Sequence, residues 1–204
     1  MDIYRDIKQG SEEWNQLRIG SIGGPTISDA VAEGSGKTRD TLMNNLIEEL
    51  WTGVKKELWL PYRVKYLASF EGEARDWYRI ETGRDVEEVG LIRKRPHRHY
   101  SPDGLPNGRL LEIKCVEFST FREFDAKRNV VTGYRKQMQW GMDHADVDVC
   151  DYLVYCPFIE PPKQRGIITE IKRDEKEIVT LSVGADKFIA EMFKLKTYFE
   201  NRKG

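Results

Sequence analysis

Soft metal ligands are scarce in this chain, which has three cysteines, Cys115, Cys150 and Cys156, in 204 residues. None form a Cys-x-x-Cys pair and no suitably spaced histidine pair accompanies them, so neither a zinc cluster nor a disulfide framework is supported and buried thiols are expected. His97 and His99 stand two apart without a third soft ligand. Long apolar runs are missing too. The start, Met1-Asp2-Ile3-Tyr4-Arg5-Asp6, has neither the apolar stretch nor the cleavage site of a secretory signal, and nothing reaches the length of a membrane span. A cytoplasmic protein without membrane attachment is expected. A basic surplus is also lacking: 33 Lys and Arg face 34 Asp and Glu, a net charge of −1. Duplex-DNA binders often carry such a surplus, so any DNA-binding role must rest on how charge is distributed. Repeats and low-complexity tracts are absent.

What is present begins with the 39% of hydrophobic residues, enough to bury a core within one domain. Cations are clustered. Arg93-Lys94-Arg95-Pro96-His97-Arg98-His99 places four of them and two histidines just before residue 103, where they are expected to line a nucleic-acid backbone. Glu87-Glu88 and the acidic stretch from Asp143 to Asp151 are expected on a solvated outer surface that masks this basic track in the total.

Nine positions on from Asp103, in the turn Ser101-Pro102-Asp103-Gly104-Leu105, lies Glu112, in the run Leu110-Leu111-Glu112-Ile113-Lys114-Cys115. On a strand Glu112 and Lys114 emerge from one face, while Leu111, Ile113 and Cys115 face the other way. The Pro-Asp-Gly turn is expected to reverse the chain so that the Glu112 strand runs back beside Asp103. Two carboxylates and a lysine then converge. A hard cation such as Mg²⁺ takes oxygen ligands and keeps several waters, so two or three carboxylates hold it against a phosphate. It would supply Lewis acidity and a more acidic water, and a positioned lysine would hold that water and offset developing charge. An isolated Glu-x-Lys is usually a solubilising surface pair. The turn aspartate upstream is what raises it to a candidate metal-dependent nuclease centre.

Patterning predicts an α/β order. Ser11 caps a short helix bearing Glu12, Glu13, Trp14, Leu17 and Arg18, which the Gly-rich piece at 20–24 stops. Helices follow over Thr38 to Trp51 and, as one longer unit, Tyr62 to Glu81, placing Glu71 in a helix interior beside Arg75. Strands are predicted near Val86 to Arg93, around Tyr100 and over Leu110 to Val116, the last as an internal strand. Helices near Ser119 to Lys127 and Val131 to Ala145 precede strands over Val149 to Cys156 and Gly166 to Ile171. A helix from about Ala185 to Arg202 closes the chain.

These residues resemble the PD-(D/E)xK nucleases, and within them the phage lambda exonuclease and YqaJ-type viral recombinase group. Ser101-Pro102-Asp103-Gly104-Leu105 and Leu111-Glu112-Ile113-Lys114-Cys115 match its two core blocks. Glu12-Glu13-Trp14 with Leu17-Arg18-Ile19-Gly20, then Phe70-Glu71-Gly72-Glu73-Ala74-Arg75, then Gln137-Met138-Gln139-Trp140 follow in its order, so the likeness spans about residues 10 to 175. It implies a single nuclease domain over 1–204 with a restriction-endonuclease-like core, a mixed central sheet flanked by helices. It also implies that Glu71, Asp103, Glu112 and the Ile113 carbonyl ligate Mg²⁺, with Mn²⁺ as a substitute, that Glu73 is a second choice to Glu71, and that Lys114 and Gln137 position the attacking water. Gln137 and Gln139 lie about 200° apart on a helix, so one of them faces a site, and the resemblance selects Gln137. Tyr134 and Met138 then belong to packing. Arg18 matches a contact to the 5′-phosphate and Arg122 a second. The small hydroxyl residue of that pocket is displaced in Ser21-Ile22-Gly23-Gly24-Pro25-Thr26, leaving Thr26 or Ser28 to stand in.

The implied activity is a 5′-to-3′ exonuclease that digests one strand of linear duplex DNA to mononucleotides and leaves 3′ overhangs for phage-type recombination. A homotrimeric ring and a single-strand annealing protein as partner are implied by resemblance alone, with Trp51, Trp59 and Tyr62 as candidate interface aromatics. Two alternatives share the residues: a PD-(D/E)xK endonuclease of restriction or repair type, and a non-catalytic DNA-end binding protein.

Overall fold

A computed structural model describes residues 1–34, 36–56 and 60–202. Strand β1 (Asp2–Tyr4) leads to helix α1 (Glu12–Leu17), whose Ser11 cap accepts the Trp14 N–H at 3.2 Å while Glu12 and Glu13 meet the positive end of the helix dipole. A 3-10 turn at Gly24–Thr26 runs into α2 (Ile27–Ala30). Helix α3 (Lys37–Thr52) ends on Gly53 at φ 67°, a left-handed cap that costs glycine no Cβ clash. Then come α4 (Tyr62–Ala68), α5 (Glu71–Thr82), β2 (Val86–Glu87), β3 (Leu91–Arg95), β4 (Arg98–Tyr100), β5 (Leu105–Pro106) and β6 (Leu110–Cys115). Helices α6 (Phe118–Lys127) and α7 (Thr132–Ala145), strands β7 (Val149–Tyr155) and β8 (Gly166–Lys172), and helix α8 (Glu175–Glu200) complete the order.

The central sheet is mixed. Strand β6 runs parallel to β7, from Leu110 beside Cys150 to Cys115 beside Tyr155, and β8 runs antiparallel to β7. An isolated antiparallel bridge between Gly104 and Leu111 links the other side of β6 to the segment carrying Asp103. Antiparallel β1, β3 and β4 form a second sheet, and β2 pairs β5. Leu111 and Ile113 enter an apolar cluster with Ala74 and Tyr78 of α5, whereas Leu110 enters a larger one with Ile27 of α2, Leu46 of α3, Met138 and Trp140 of α7 and Phe188 of α8. Helices thus cover both sheet faces, and Glu112, alternating with Leu111 and Ile113, is turned toward the α7 side. Among the described residues no helix is long and apolar enough to cross a membrane.

Several expectations are corrected. The helix expected over 62–81 breaks at Ser69, whose hydroxyl donates to the Tyr66 carbonyl at 2.6 Å, so Glu71 opens α5 rather than lying inside a helix. Val86 to Arg93 divides into β2 and β3. The chain reverses at Asn107 and Gly108, where Gly108 holds φ 69°, and not at Asp103. Helix α8 begins ten residues before Ala185, because Asp174 accepts the Lys176 and Glu177 N–H groups. Its β-branched residues and Gly184 disguise it in sequence, yet Gly184 lets α8 approach Val31, which stands 2.8 Å from where a Cβ would sit.

The basic track is also corrected. Arg98 and His99 are buried, Arg98 pairing with Asp186 and Ser182 of α8. Lys94 donates to Asp143 at 2.7 Å, and Arg93 donates to the Leu17 carbonyl. These cations hold the β3–β4 hairpin to its neighbours, which a buried guanidinium requires. Asp151, expected at the outer surface, is buried beneath Tyr78 and Arg109. Cys150 and Cys156 are buried as expected, but Cys115 is partly exposed. Trp59 lies outside the described residues.

Candidate active site

Glu112 is 1% exposed, and a carboxylate at that depth needs every lone pair answered. Its Oε2 accepts from the Tyr100 hydroxyl at 2.5 Å, and its Oε1 accepts from Lys114 Nζ at 2.5 Å and Gln137 Nε2 at 2.6 Å. Strand alternation brings Lys114 to the Glu112 face as expected, and α7 delivers Gln137. Gln139 points away, donating to the Lys172 carbonyl at 2.8 Å and accepting the Asp174 N–H at 2.9 Å, which pins the start of α8. Asp103 Oδ2 accepts the Ile113 N–H at 2.6 Å, seating its segment against β6.

Three side chains hold that segment. Gln9 Nε2 donates to the Pro102 carbonyl at 2.9 Å, Trp14 Nε1 to Ser101 Oγ at 3.0 Å, and Arg75 Nε to the Asp103 carbonyl at 2.8 Å. Arg75 also donates to Glu71 Oε1 at 2.7 Å, so the Glu71–Arg75 pair belongs to the site rather than to a surface. Glu71, Asp103, Ile113, Lys114, Cys115 and Tyr134 line one cavity of about 350 Å³.

Charge crowding follows from this burial. Burial, then the neighbouring Glu112 charge, lifts the Asp103 carboxyl well above the usual range, and burial likewise raises Glu71 against the pull of Arg75 and Lys114. For Lys114 burial pulls downward, but Glu112 and Asp103 together outweigh it and keep the ammonium form. Burial, then Glu71, raises the Cys115 thiol to about 12, so it remains a thiol. A cluster of hard oxygen donors with one compensating lysine suits a divalent cation in charge and in chemistry. Even so, no three His, Cys, Asp or Glu side chains among the described residues stand close enough together to grip an ion. Glu71 is drawn to Arg75 and both Glu112 oxygens are occupied by donors, so holding an ion requires these side chains to exchange partners.

The residues expected at a 5′-phosphate pocket are not brought into one hydrogen-bonded group. Arg18 stacks on Trp14 with its guanidinium carbon 3.6 Å from the ring centroid and donates from Nε to His99 Nε2 at 3.2 Å. Burial, offset by Glu49, lowers it to about 10. The Thr26 hydroxyl is engaged by the Gly23 backbone, whereas Ser28 Oγ is buried without a protein partner among the described residues. Arg122 lies on the exposed side of α6. Glu73 binds Tyr155 and Arg165 instead of joining the carboxylates.

Sequence reasoning missed Tyr100 and undervalued Tyr134, whose ring centroid is 5.1 Å from Lys114 Nζ. The signal for Tyr100 was its place on a strand just before Ser101-Pro102-Asp103. Room for its ring depends on Gly24 and Gly141, where a Cβ would come within 2.8 Å and 2.5 Å of it.

The sequence pattern of the YqaJ-like viral recombinase domain matches residues 13–148, which include every carboxylate of this cavity. The chain belongs to that family. No curated protein matches it. Among solved structures, this recombinase-family chain is similar to an alkaline exonuclease, LHK-Exo, from Laribacter hongkongensis. The TM-score is 0.85 at 30% identity, covering 94% of this chain and 97% of that one. The same exonuclease in complex with dAMP gives 0.85 at 29% identity with the same coverage. A phage-related exonuclease from Haemophilus somnus 129PT shares the fold, with a TM-score of 0.65 at 13% identity over 88% of this chain and 98% of that one. The mixed sheet flanked by helices is accordingly a PD-(D/E)xK-like core.

Proposed function

We propose that this chain is a Mg²⁺-dependent 5′-to-3′ exonuclease acting on linear duplex DNA. A nuclease of the YqaJ-like family is what the family match and the LHK-Exo likeness support. The finer reading rests on one observation: buried Glu112 gathers Lys114, Gln137 and Tyr100 while Asp103 seats on the adjoining backbone, and Lys114 and Asp103 line a cavity shared with Glu71. Glu71, Asp103, Glu112 and the Ile113 carbonyl would hold the ion. When bound, such a cation supplies Lewis acidity at a phosphate and lowers the pKa of its water. Lys114, kept as ammonium, orients water through its donors and offsets negative charge on the phosphoryl oxygens. Gln137 fixes the Glu112 carboxylate and presents its amide beside Lys114. Arg18 would contact the 5′-phosphate, with Thr26 or Ser28, whose hydroxyl has no protein partner among the described residues, lending a hydroxyl and Arg122 an outer contact. A homotrimer and cooperation with a single-strand annealing protein belong to the same proposal.

The test is timed digestion of linear duplexes labelled at the 5′ or 3′ end, with and without 5′-phosphate, beside closed circular duplex. Wild type with Mg²⁺ is expected to release mononucleotides from the 5′ end and to spare the circle. Lys114→Ala should lose about 100-fold or more in rate. Cutting of the circle would indicate the endonuclease instead, and tight end binding without release the non-catalytic protein. Equal activity of Lys114→Ala sinks the assigned chemistry.

A further inference from the structure

Helix α4 separates two cavities. One face, through Val64, Leu67 and Ala68, walls the carboxylate cavity, and the other, through Tyr62, Arg63 and Tyr66, walls a second of about 440 Å³ completed by Glu117 and Phe158. Its aromatic rings are open to solvent: Tyr62 is 83%, Tyr66 43% and Phe158 48% exposed. They are nearly parallel in series, Tyr62 to Tyr66 at 12° with centroids 6.3 Å apart and Tyr66 to Phe158 at 17° and 6.4 Å. Phe70 meets both Tyr66 and Phe158 edge-on and sets their orientation. At the rim Arg63 donates to Glu117 at 2.8 Å, placing hydrogen-bond donors and an acceptor beside the ring faces.

We propose that this cavity is a stacking site for unpaired nucleobases of DNA next to the cleavage centre. The inference rests on the nuclease reading for its ligand. Flat ring faces with a polar edge match a base, which has a π-face and a hydrogen-bonding rim, better than an aliphatic protein surface. Continuity supplies the rest: one seven-residue helix bounds both this cavity and the carboxylates, so a strand lying across α4 meets both. Such a site holds a base without reading its identity, because every base offers a face.

Two fluorescent probes decide the matter, a ten-nucleotide oligothymidylate and an abasic deoxyribose-phosphate chain of equal length, titrated in EDTA so that neither is cleaved. Wild type should prefer oligothymidylate. Tyr62→Ala and Tyr66→Ala should each weaken that preference on the order of tenfold, while Tyr62→Phe and Tyr66→Phe, which keep the ring, restore it. Tyr62 is so exposed that its replacement leaves the fold intact, and circular dichroism checks this for both. Unchanged preference in the alanine variants overturns the proposal whether or not wild type digests duplex. A change in their sedimenting mass with no change in preference overturns it in favour of a contact between copies. Digestion by wild type is scored separately, so loss of nuclease activity condemns the enzymatic reading while the probe titration still judges the stacking site.

Discussion

At the residue scale, Asp103 shows how a buried carboxyl that lowers stability serves a site. Its folded pKa is raised by burial and by Glu112, so its contribution to stability is fully present below the unfolded value near 3.8 and lost as pH rises through the folded value. At neutral pH, above the unfolded value, the metal-free protein has therefore lost stability at Asp103. Asp103→Asn should raise the thermal midpoint of the metal-free protein at pH 7, remove any further rise on adding Mg²⁺, and cut digestion by about 100-fold or more. Calorimetry at pH 7 and pH 3.5 checks the sign, since the gain should vanish at the lower pH. The Glu112 and Lys114 pairing was legible from strand alternation alone. Tyr100 was not, because nothing local says that a tyrosine twelve residues upstream donates to Glu112.

At the element scale, α7 carries the same lesson in its glycine. Gly141 sits where a Cβ would meet the Tyr100 ring at 2.5 Å and Leu110 at 2.7 Å, whereas Gly72 in α5 has open space around it. Helix propensity favours alanine at both. Gly72→Ala should therefore stabilise by about 0.5 kcal/mol and keep activity. Gly141→Ala should destabilise by about 1–3 kcal/mol and depress activity by moving Tyr100 off Glu112. Urea unfolding and the linear-duplex assay on the two variants make the comparison, and equal outcomes would contradict the close packing. Periodicity located α7 and separated Gln137 from Gln139, since that is a property of one helix. It joined α4 to α5, because an apolar stripe continues through Ser69 and only the Tyr66 carbonyl and the Phe158 ring reveal the break.

Over the whole molecule, buried histidines add a loss of stability on the acid side. His144 is 1% exposed; its Nδ1 sits 2.8 Å from the Trp140 carbonyl and its Nε2 has no partner among the described residues. Burial, only partly opposed by that carbonyl, lowers its pKa to about 4, and burial with nearby Arg18 lowers buried His99 as well. With the folded value below the unfolded 6.5, this stability is full above pH 6.5 and is lost as pH falls toward 4, by about 3 kcal/mol for His144. Asp103 and Glu71 act with the opposite sign, so the test is a difference. His144→Leu should flatten the change in unfolding free energy between pH 7 and pH 4.5 relative to wild type, and parallel curves would reject the assignment.

Sequence alone determined what short-range geometry controls: the Ser11 cap, the shared face of Glu112 and Lys114, the divergence of Gln137 and Gln139, and the spacing that carries the family resemblance. Tertiary structure alone decided which charges are buried and with whom. It turned Arg93 and Arg98 inward and paired Lys94 with Asp143 to hold a hairpin, sank Asp151 under Arg109, brought Arg75 onto the Asp103 segment and set Tyr100 and Gln137 on Glu112. The physical reason is one of range. Helix and strand patterns are written within a few residues, but a buried charge takes its partners from wherever packing brings them, here 12 and 25 positions away.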